Sequence, residues 1–157
     1  MQLTIICPGR VREKWLADGI AEYKLRLSRY TSVRIVEVAD LPDNLPVQKV
    51  LAGEAELILR ALGKIRSQAT VVALALDGIM LDSVGFSARL VDWFEQGGSD
   101  VVFLIGGSLG LHESVLTRAQ FRLALSPMTF THQITRFILL EQCYRAFRIH
   151  TGEPYHK

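Results

Sequence analysis

The length, composition and charge of this chain exclude several classes of protein. With 157 residues, it has the size of one domain, which we expect to span residues 1–157. Its 49% apolar residues predict a large core and a surplus of apolar surface for a second subunit to cover, whereas its net charge of +2 is too small for a general polyanion-binding protein.

Two further features of the sequence concern the cellular compartment. No apolar run approaches the length of a membrane span, and the first residues lack the basic segment of a secretory signal. Cys7 and Cys143 lie far apart, without the spacing of a metal site. We therefore expect a cytoplasmic protein without membrane contact or bound metal, in which both thiols are reduced and buried.

Short apolar strands alternate with segments of helical periodicity along the chain. The runs "VVALAL" and "VVFLI" are continuously apolar, as strands covered on both faces are. The alternation predicts an α/β fold, a mostly parallel sheet with helices on both faces. The predicted strands are 3–7, 33–38, 70–76, 101–105 and 121–125, and the predicted helices are 11–27, 46–62, 83–94 and a last one that begins at Thr131 or His132 and ends near His150.

Three helices carry predictions about individual residues. We expect Trp15 and Ile20 on the apolar face of the first helix, and Ser83 as the N-cap of the third. The last helix has apolar residues on more than one face, which predicts burial on two sides. In so small a domain, we expect the second side to contact another subunit.

The stretch "VVFLIGGSLGLHESV" predicts a buried strand, a glycine turn and the start of a helix. Ligands of open α/β sheets bind at the carboxyl ends of the strands, so this turn is a candidate ligand site. The glycines lack the G-x-G-x-x-G spacing of a dinucleotide site, and the Lys-Ser/Thr pair of a phosphate-binding loop is missing. A plain strand-to-helix turn and another kind of ligand loop both remain open.

Residues 106–110 also match the G-x-S-x-G pattern of a serine hydrolase. Ser108 would be the nucleophile, with Glu141 and later histidines in the required chain order. Against this alternative, the chain is short for that fold, and so short a pattern arises readily by chance. Spacing alone leaves it open.

Three stretches together resemble the RlmH family of small SPOUT-class methyltransferases. They are "LTIICPGRVREKWLADGIAEYKLRL" near the start, "IGGSLGL" in the middle and "LSPMTFTHQITRFILLEQCYRAFRIHTGEPYHK" at the end, and the resemblance covers essentially the whole chain. The family usually has Thr-Phe-Pro-His-Gln in the last stretch, where this chain has Thr131 in place of the proline. Since proline suits the first turn of a helix and threonine can cap one, we expect little effect.

The resemblance implies a fold, a reaction and a cofactor site. The fold would be a SPOUT-type α/β domain with a C-terminal trefoil knot, assembled as a homodimer with each active site near the subunit boundary. The reaction would be S-adenosylmethionine-dependent methylation of N3 of a pseudouridine in 23S rRNA, within the ribosome or the large subunit. By position, the cofactor-binding residues would be Leu74, Gly106, Leu125, Ser126, Pro127, Met128, Thr129 and Phe130.

Candidate catalytic residues follow from the implied reaction. The proton on N3 must leave, and a base or a cationic group would assist its departure. His132 and Arg136 lie four residues apart, hence on one face of the last helix. Tyr155 and His156 can stack on and hydrogen-bond a splayed base. The candidate catalytic residues are therefore His132, Arg136, Tyr155 and His156.

The small net charge bears on the size of the RNA substrate. Because one such domain offers few phosphate contacts, we expect a large folded particle that is bound by a dimeric surface. Arg145 is also placed to pair with Glu141, four residues before it on the helix. The arginines expected on the RNA-binding surface are Arg118, Arg122, Arg145 and Arg148.

Overall fold

The computed structural model describes residues 1–42 and 44–155. Within these ranges, five strands form one sheet and five helices pack against it. The strands are β1 (Gln2–Pro8), β2 (Ser32–Val38), β3 (Thr70–Met80), β4 (Asp100–Leu104) and β5 (Phe121–Ala124), and the helices are α1 (Lys14–Leu27), α2 (Val47–Leu62), α3 (Ser83–Gln96), α4 (Glu113–Leu116) and α5 (His132–His150).

The sheet confirms the predicted fold class. Its strand order is β2-β1-β4-β3-β5, and each neighbouring pair is parallel. β3 is longer than predicted, because it continues past an irregularity between Leu74 and Ile79 to pair again with β5. There a Cβ on Gly78 would lie 2.6 Å from the backbone of Leu123, so this close approach requires glycine. The knotted threading of the C-terminal segment stays a prediction.

Apolar side chains on both faces of the sheet explain the continuously apolar strands. Along β1, Leu3 and Ile5 enter one core with residues of α1, α3 and α5, whereas Ile6 enters a second core with residues of α2 and α4. Because successive side chains of a strand point to opposite faces, a central strand covered on both sides must be apolar throughout.

The apolar face of α1 differs from the prediction at Trp15. The residues that bury are Leu16, Ile20 and Leu27, at the i, i+4, i+11 spacing of one helix face. Trp15 stands one position before this face, and 61% of its surface is exposed. The expectation that Trp15 packs in the core is therefore wrong.

The caps of α3 and α5 give one correction and one confirmation. The N-cap of α3 is Asp82, whose carboxylate accepts a hydrogen bond from the Gly85 N–H at 2.7 Å, so the assignment to Ser83 was one residue late. The N-cap of α5 is Thr131, whose hydroxyl accepts from the Ile134 N–H at 3.4 Å. The threonine that replaces the family's proline thus caps the helix, as predicted.

α5 is covered on two sides, and both sides are covered within the chain. On one side, the ring of Phe137 lies 5.5 Å from that of Tyr23 in α1, and on the other the ring of Phe147 lies 5.9 Å from that of Phe94 in α3. The two apolar faces therefore need no second subunit, and the inference of a dimer from them loses its basis. The homodimer itself stays a prediction.

Both cysteines are free and buried, as predicted. Burial raises the pKa of the Cys7 thiol to about 11, and burial likewise raises the pKa of Cys143. Both side chains are therefore protonated near neutral pH and act as apolar core residues. None of the helices in the described ranges is long and apolar enough to cross a membrane.

Candidate active site

A cavity of about 1090 Å³ opens where the irregular stretch 74–77 within β3 meets the loops after β4 and β5. The carboxyl ends of parallel strands lie at one edge of the sheet, which is where α/β proteins bind small molecules. The volume matches the upper end of known ligand sites. The lining residues lie at 74–77, at 105–111 and Leu116, at 123–135 except Pro127, and at the start of α1, where they are Glu13, Trp15 and Leu16.

The glycine turn after β4 allows its backbone to fold tightly against itself. A Cβ on Gly106 would lie 2.3 Å from the carbonyl carbon and oxygen of Gly110, closer than any side chain permits. Gly110 has a φ of +84°, and its N–H donates to the Gly107 carbonyl at 3.2 Å. The glycines therefore allow a tight turn, and residues 106–110 all line the cavity, with Ser108 and Leu109 as the side-chain-bearing members of the turn.

A buried carboxylate lies behind this turn. Glu54 of α2 is 4% exposed, and its Oε2 lies 2.6 Å from the position of a Cβ on Gly107. Its Oε1 accepts a hydrogen bond from the Leu41 N–H at 3.3 Å. Glu54 thus packs the turn against the segment before α2. The position of Glu54 in the helical pattern of α2 does not predict this contact.

The structure brings the predicted cofactor residues together. Seven of the eight line the cavity, and Pro127 lies in the same loop between two of them. The Met128 N–H donates to the Ser126 hydroxyl at 3.0 Å, which holds the loop in a turn. The seven lining residues are Leu74, Gly106, Leu125, Ser126, Met128, Thr129 and Phe130.

His132 and Arg136 share a helix but face different environments. His132 lines the cavity, and its Nε2 lies 3.3 Å from where a Cβ on Gly9 would stand. Arg136 is fully buried, donates to the Pro8 carbonyl and pairs with Glu37 at 3.2 Å. It is not among the residues that line the cavity, so contact with a substrate there would require it to leave these partners.

The C-terminal segment up to Tyr155 is docked on the chain itself. The Tyr155 hydroxyl donates to Glu141 at 3.2 Å and lies 3.3 Å from the Tyr23 hydroxyl. Arg145 stacks over its ring at 4.7 Å. Burial, and next the hydrogen bond with Tyr23, raise the pKa of Tyr155, so its phenol is neutral near pH 7. His156 lies outside the described residues.

Glu153 holds the same segment to the turn that follows α1. Its Oε1 accepts a hydrogen bond from the Tyr30 hydroxyl at 2.6 Å, and its Oε2 lies 3.3 Å from Arg148. The hydrogen bonds from Tyr30 and then from Thr151 lower the pKa of Glu153. The carboxylate is therefore charged at neutral pH, and the tail is held in place up to this point.

Most of the arginines expected on the RNA-binding surface are in ion pairs. Arg145 pairs with Glu141 at 2.6 Å, which confirms the predicted helical pair. Arg122 lies 2.8 Å from Asp77. Arg118 is exposed. The Arg122–Asp77 pair is largely exposed at Asp77 and contributes little to stability, so Arg122 can exchange this carboxylate for a phosphate at low cost, whereas Arg145 and Glu141 are both partly buried.

Fold and cavity together define a class, an α/β protein with a ligand-sized cavity at the carboxyl ends of a parallel sheet. A family model described as "Predicted SPOUT methyltransferase" matches residues 1–156, and the chain belongs to this family of methyltransferases.

Two curated relatives match the chain over its whole length. "Ribosomal RNA large subunit methyltransferase H" from Clostridioides difficile is 46% identical, with 100% of both chains covered. A protein from Methanoregula boonei, whose name gives the same activity provisionally, is 47% identical with the same coverage. A solved structure of a probable methylase family protein from Haemophilus influenzae is 12% identical, with a TM-score of 0.55 over 99% of this chain and 70% of that one, and supports the fold alone.

The comparisons give the serine hydrolase alternative no support. In the structure, the Glu141 carboxylate accepts hydrogen bonds from Arg145 and Tyr155, and Glu141 is not among the residues that line the cavity with Ser108. This carboxylate is therefore used elsewhere than in a triad with Ser108.

Replacing Ser108 by alanine is therefore expected to leave methyl transfer within about twofold of the wild type, since its hydroxyl performs no nucleophilic step. Transfer is measured as incorporation of tritiated methyl groups, and labelling by a fluorophosphonate probe is measured beside it. Stoichiometric labelling of the wild type at Ser108 would instead establish a hydrolase.

Proposed function

We propose that this chain transfers a methyl group from S-adenosylmethionine to N3 of a pseudouridine in 23S rRNA of the large ribosomal subunit. One observation carries the proposal: the cavity is built from the glycine turn and the loop before α5, in a chain 46% identical over its full length to a ribosomal RNA large subunit methyltransferase H. An enzyme with this substrate would act in the cytoplasm.

The residues of the cavity suit S-adenosylmethionine. Leu74, Met128 and Phe130 offer apolar walls for an adenine ring, and the loop backbones offer donors and acceptors for its edge. Because Gly106 has no Cβ, the backbone of Gly110 packs directly against it, and the closed turn brings backbone groups to the cavity. When bound, the cofactor supplies an activated methyl group on sulfur.

His132 is the candidate for moving the proton from N3. It lies at the first turn of α5 and lines the same cavity as the loop 125–130. A methyl donor held by that loop and a base held near His132 would be close together, and such alignment lowers the barrier of a displacement. An imidazole in this place can accept the N3 proton or donate a hydrogen bond to the adjacent carbonyl.

The remaining candidates act at a distance from the cavity or across subunits. Arg136 orients the first turns of α5 through Pro8 and Glu37, so we assign it a positioning role beside the catalytic one predicted from sequence. Tyr155 does not line the cavity of its own chain. Its catalytic role, and that of His156, thus fit a homodimer in which the tail reaches the cavity of the partner.

Calorimetry and methyl transfer test the proposal together. The full chain is expected to bind S-adenosylmethionine and to show no binding of a nicotinamide dinucleotide, because the turn lacks dinucleotide spacing. It is also expected to incorporate tritiated methyl groups into 23S rRNA of ribosomes or large subunits that lack the modification, at the N3 position of a pseudouridine.

Assembled ribosomes and free large subunits are each tested as substrates. Binding of the dinucleotide with none of the sulfonium would overturn the cofactor assignment. Cofactor binding with methylation confined to a different RNA, or to a different atom, would overturn the substrate assignment alone.

A further inference from the structure

The segment of residues 10–15, here called the rim segment, is held against the cavity at both ends. Gly9 directly precedes the segment and lies close to His132, which lines the cavity: a Cβ built on Gly9 would lie 3.3 Å from the His132 Nε2. At its far end, Glu13 and Trp15 line the cavity themselves. Arg10 and Arg12 lie between these anchors and are exposed, so they stand on the rim of the cavity.

Trp15 is an exposed aromatic side chain at a ligand site. The indole is 61% exposed, although the next residue, Leu16, is 2% exposed in the core. Leu76 and Met128, which line the same cavity, are 67% and 71% exposed. An exposed apolar group of this size beside a cavity is typical of a binding surface.

The charges of the rim segment favour a polyanion. In the part of the chain that the structure describes, neither Arg10 nor Arg12 has an ion-pair partner, in contrast to Arg122 and Arg145. Lys14 is paired with Asp18 at 2.5 Å, and Glu13 is the one acid of the segment. Two unpaired guanidinium groups beside an exposed indole match the two parts of a nucleic acid, its phosphates and its bases.

From these observations we propose that the rim segment binds the single-stranded RNA next to the target nucleotide. The indole of Trp15 stacks on an unpaired base, and Arg10 and Arg12 contact the adjoining phosphates. The inference rests on the proposed function: N3 lies on the pairing edge of the base, so the target must be unpaired and out of its stack when it reaches the cavity. Its neighbours in the strand are then unstacked at the rim, where Trp15 replaces the lost stacking partner.

Tryptophan fluorescence measures this contact directly. The chain has two tryptophans, and Trp93 is fully buried, so a ligand on the surface reports through Trp15. A mixed-sequence single-stranded RNA oligonucleotide is expected to quench the fluorescence of the wild type. It should also shield Trp15 from quenching by added acrylamide. The Trp15→Phe variant should lose this RNA-dependent quenching. With the wild type, the same oligonucleotide annealed to its complement should cause little quenching, because its bases are already stacked and paired.

Two variants separate stacking from phosphate contact. Trp15→Ala is expected to weaken binding of the oligonucleotide by about 5- to 150-fold, the usual effect of removing one stacking ring, and to raise KM for large subunits with a smaller effect on kcat. The Arg10→Ala/Arg12→Ala double variant should reduce the slope of log affinity against log salt by about 1.4, about 0.7 for each lost phosphate contact. Leu25→Ala and Arg89→Ala replace exposed residues on α1 and α3 and serve as matched controls that should bind as the wild type does.

The outcomes distinguish this inference from the proposed function. If the wild type methylates large subunits while Trp15→Ala keeps its KM and its RNA affinity, the inference is wrong and the proposed function stands. If Trp15→Ala loses S-adenosylmethionine binding by calorimetry, the indole belongs to the cofactor site. If the variant changes the sedimentation of the free protein from dimer to monomer, Trp15 is covered by a second copy of the chain instead, and the RNA contact is refuted.

Discussion

Replacing Gly106 by alanine is expected to abolish cofactor binding and to reduce methyl transfer at least about 100-fold. A Cβ at this position would lie 2.3 Å from the backbone of Gly110, so the turn must open. Because the contact is with backbone, no side chain can rotate away. A displacement of about 1 Å in a group that aligns reactants is enough for a loss of this size. Calorimetry with S-adenosylmethionine and single-turnover transfer to large subunits measure the two effects.

A second glycine provides the control for this variant. Gly63 has a φ of −62°, and a Cβ there would meet the Leu59 carbonyl at 3.4 Å, an ordinary contact. Gly63→Ala should therefore retain both S-adenosylmethionine binding and methyl transfer. Circular dichroism establishes that Gly106→Ala is folded, and if the folded variant binds the cofactor within about twofold of the wild type, the glycine turn is not the cofactor site.

Replacing Arg136 by alanine is expected to lower the free energy of unfolding by about 3 kcal/mol. The guanidinium is fully buried, and its loss leaves the Pro8 carbonyl and the Glu37 carboxylate without their donor. The lower end of the usual range applies because 34% of the Glu37 side chain is exposed and can be hydrated. Urea unfolding followed by circular dichroism measures the change.

The partly exposed helical pair supplies the comparison. Arg145→Ala removes an i,i+4 partner of Glu141 and should cost less than about 1 kcal/mol. If Arg136→Ala unfolds like the wild type yet loses methyl transfer with cofactor binding intact, Arg136 acts on the substrate and its positioning role is refuted. Arg136→Lys keeps the positive charge on a shorter side chain. It tests whether a cation alone, without the guanidinium geometry, maintains the free energy of unfolding.

Local sequence patterns determined the elements of this protein because they depend on neighbours along the chain. The continuously apolar runs located the central strands, since only a strand covered on both faces excludes polar residues throughout. Thr131 marked the start of α5, because a hydroxyl before a helix satisfies a free N–H group within three residues. The glycine turn after β4 was likewise predicted from spacing, although spacing alone did not distinguish its possible ligands.

Only the tertiary structure decided which side chains meet. Arg136 and His132 share a helix face by sequence, but β1 and β2 bury the first while the second lines the cavity. Trp15 and Leu16 are adjacent and both apolar, and the direction in which α1 packs on the sheet leaves the first at the cavity and the second in the core. Tyr155, assigned to a substrate from its place at the end of the chain, docks on Tyr23 and Glu141, which lie 132 and 14 residues away. Such contacts depend on strand order and helix orientation, which arise from packing over the whole sheet and which no local pattern of residues encodes.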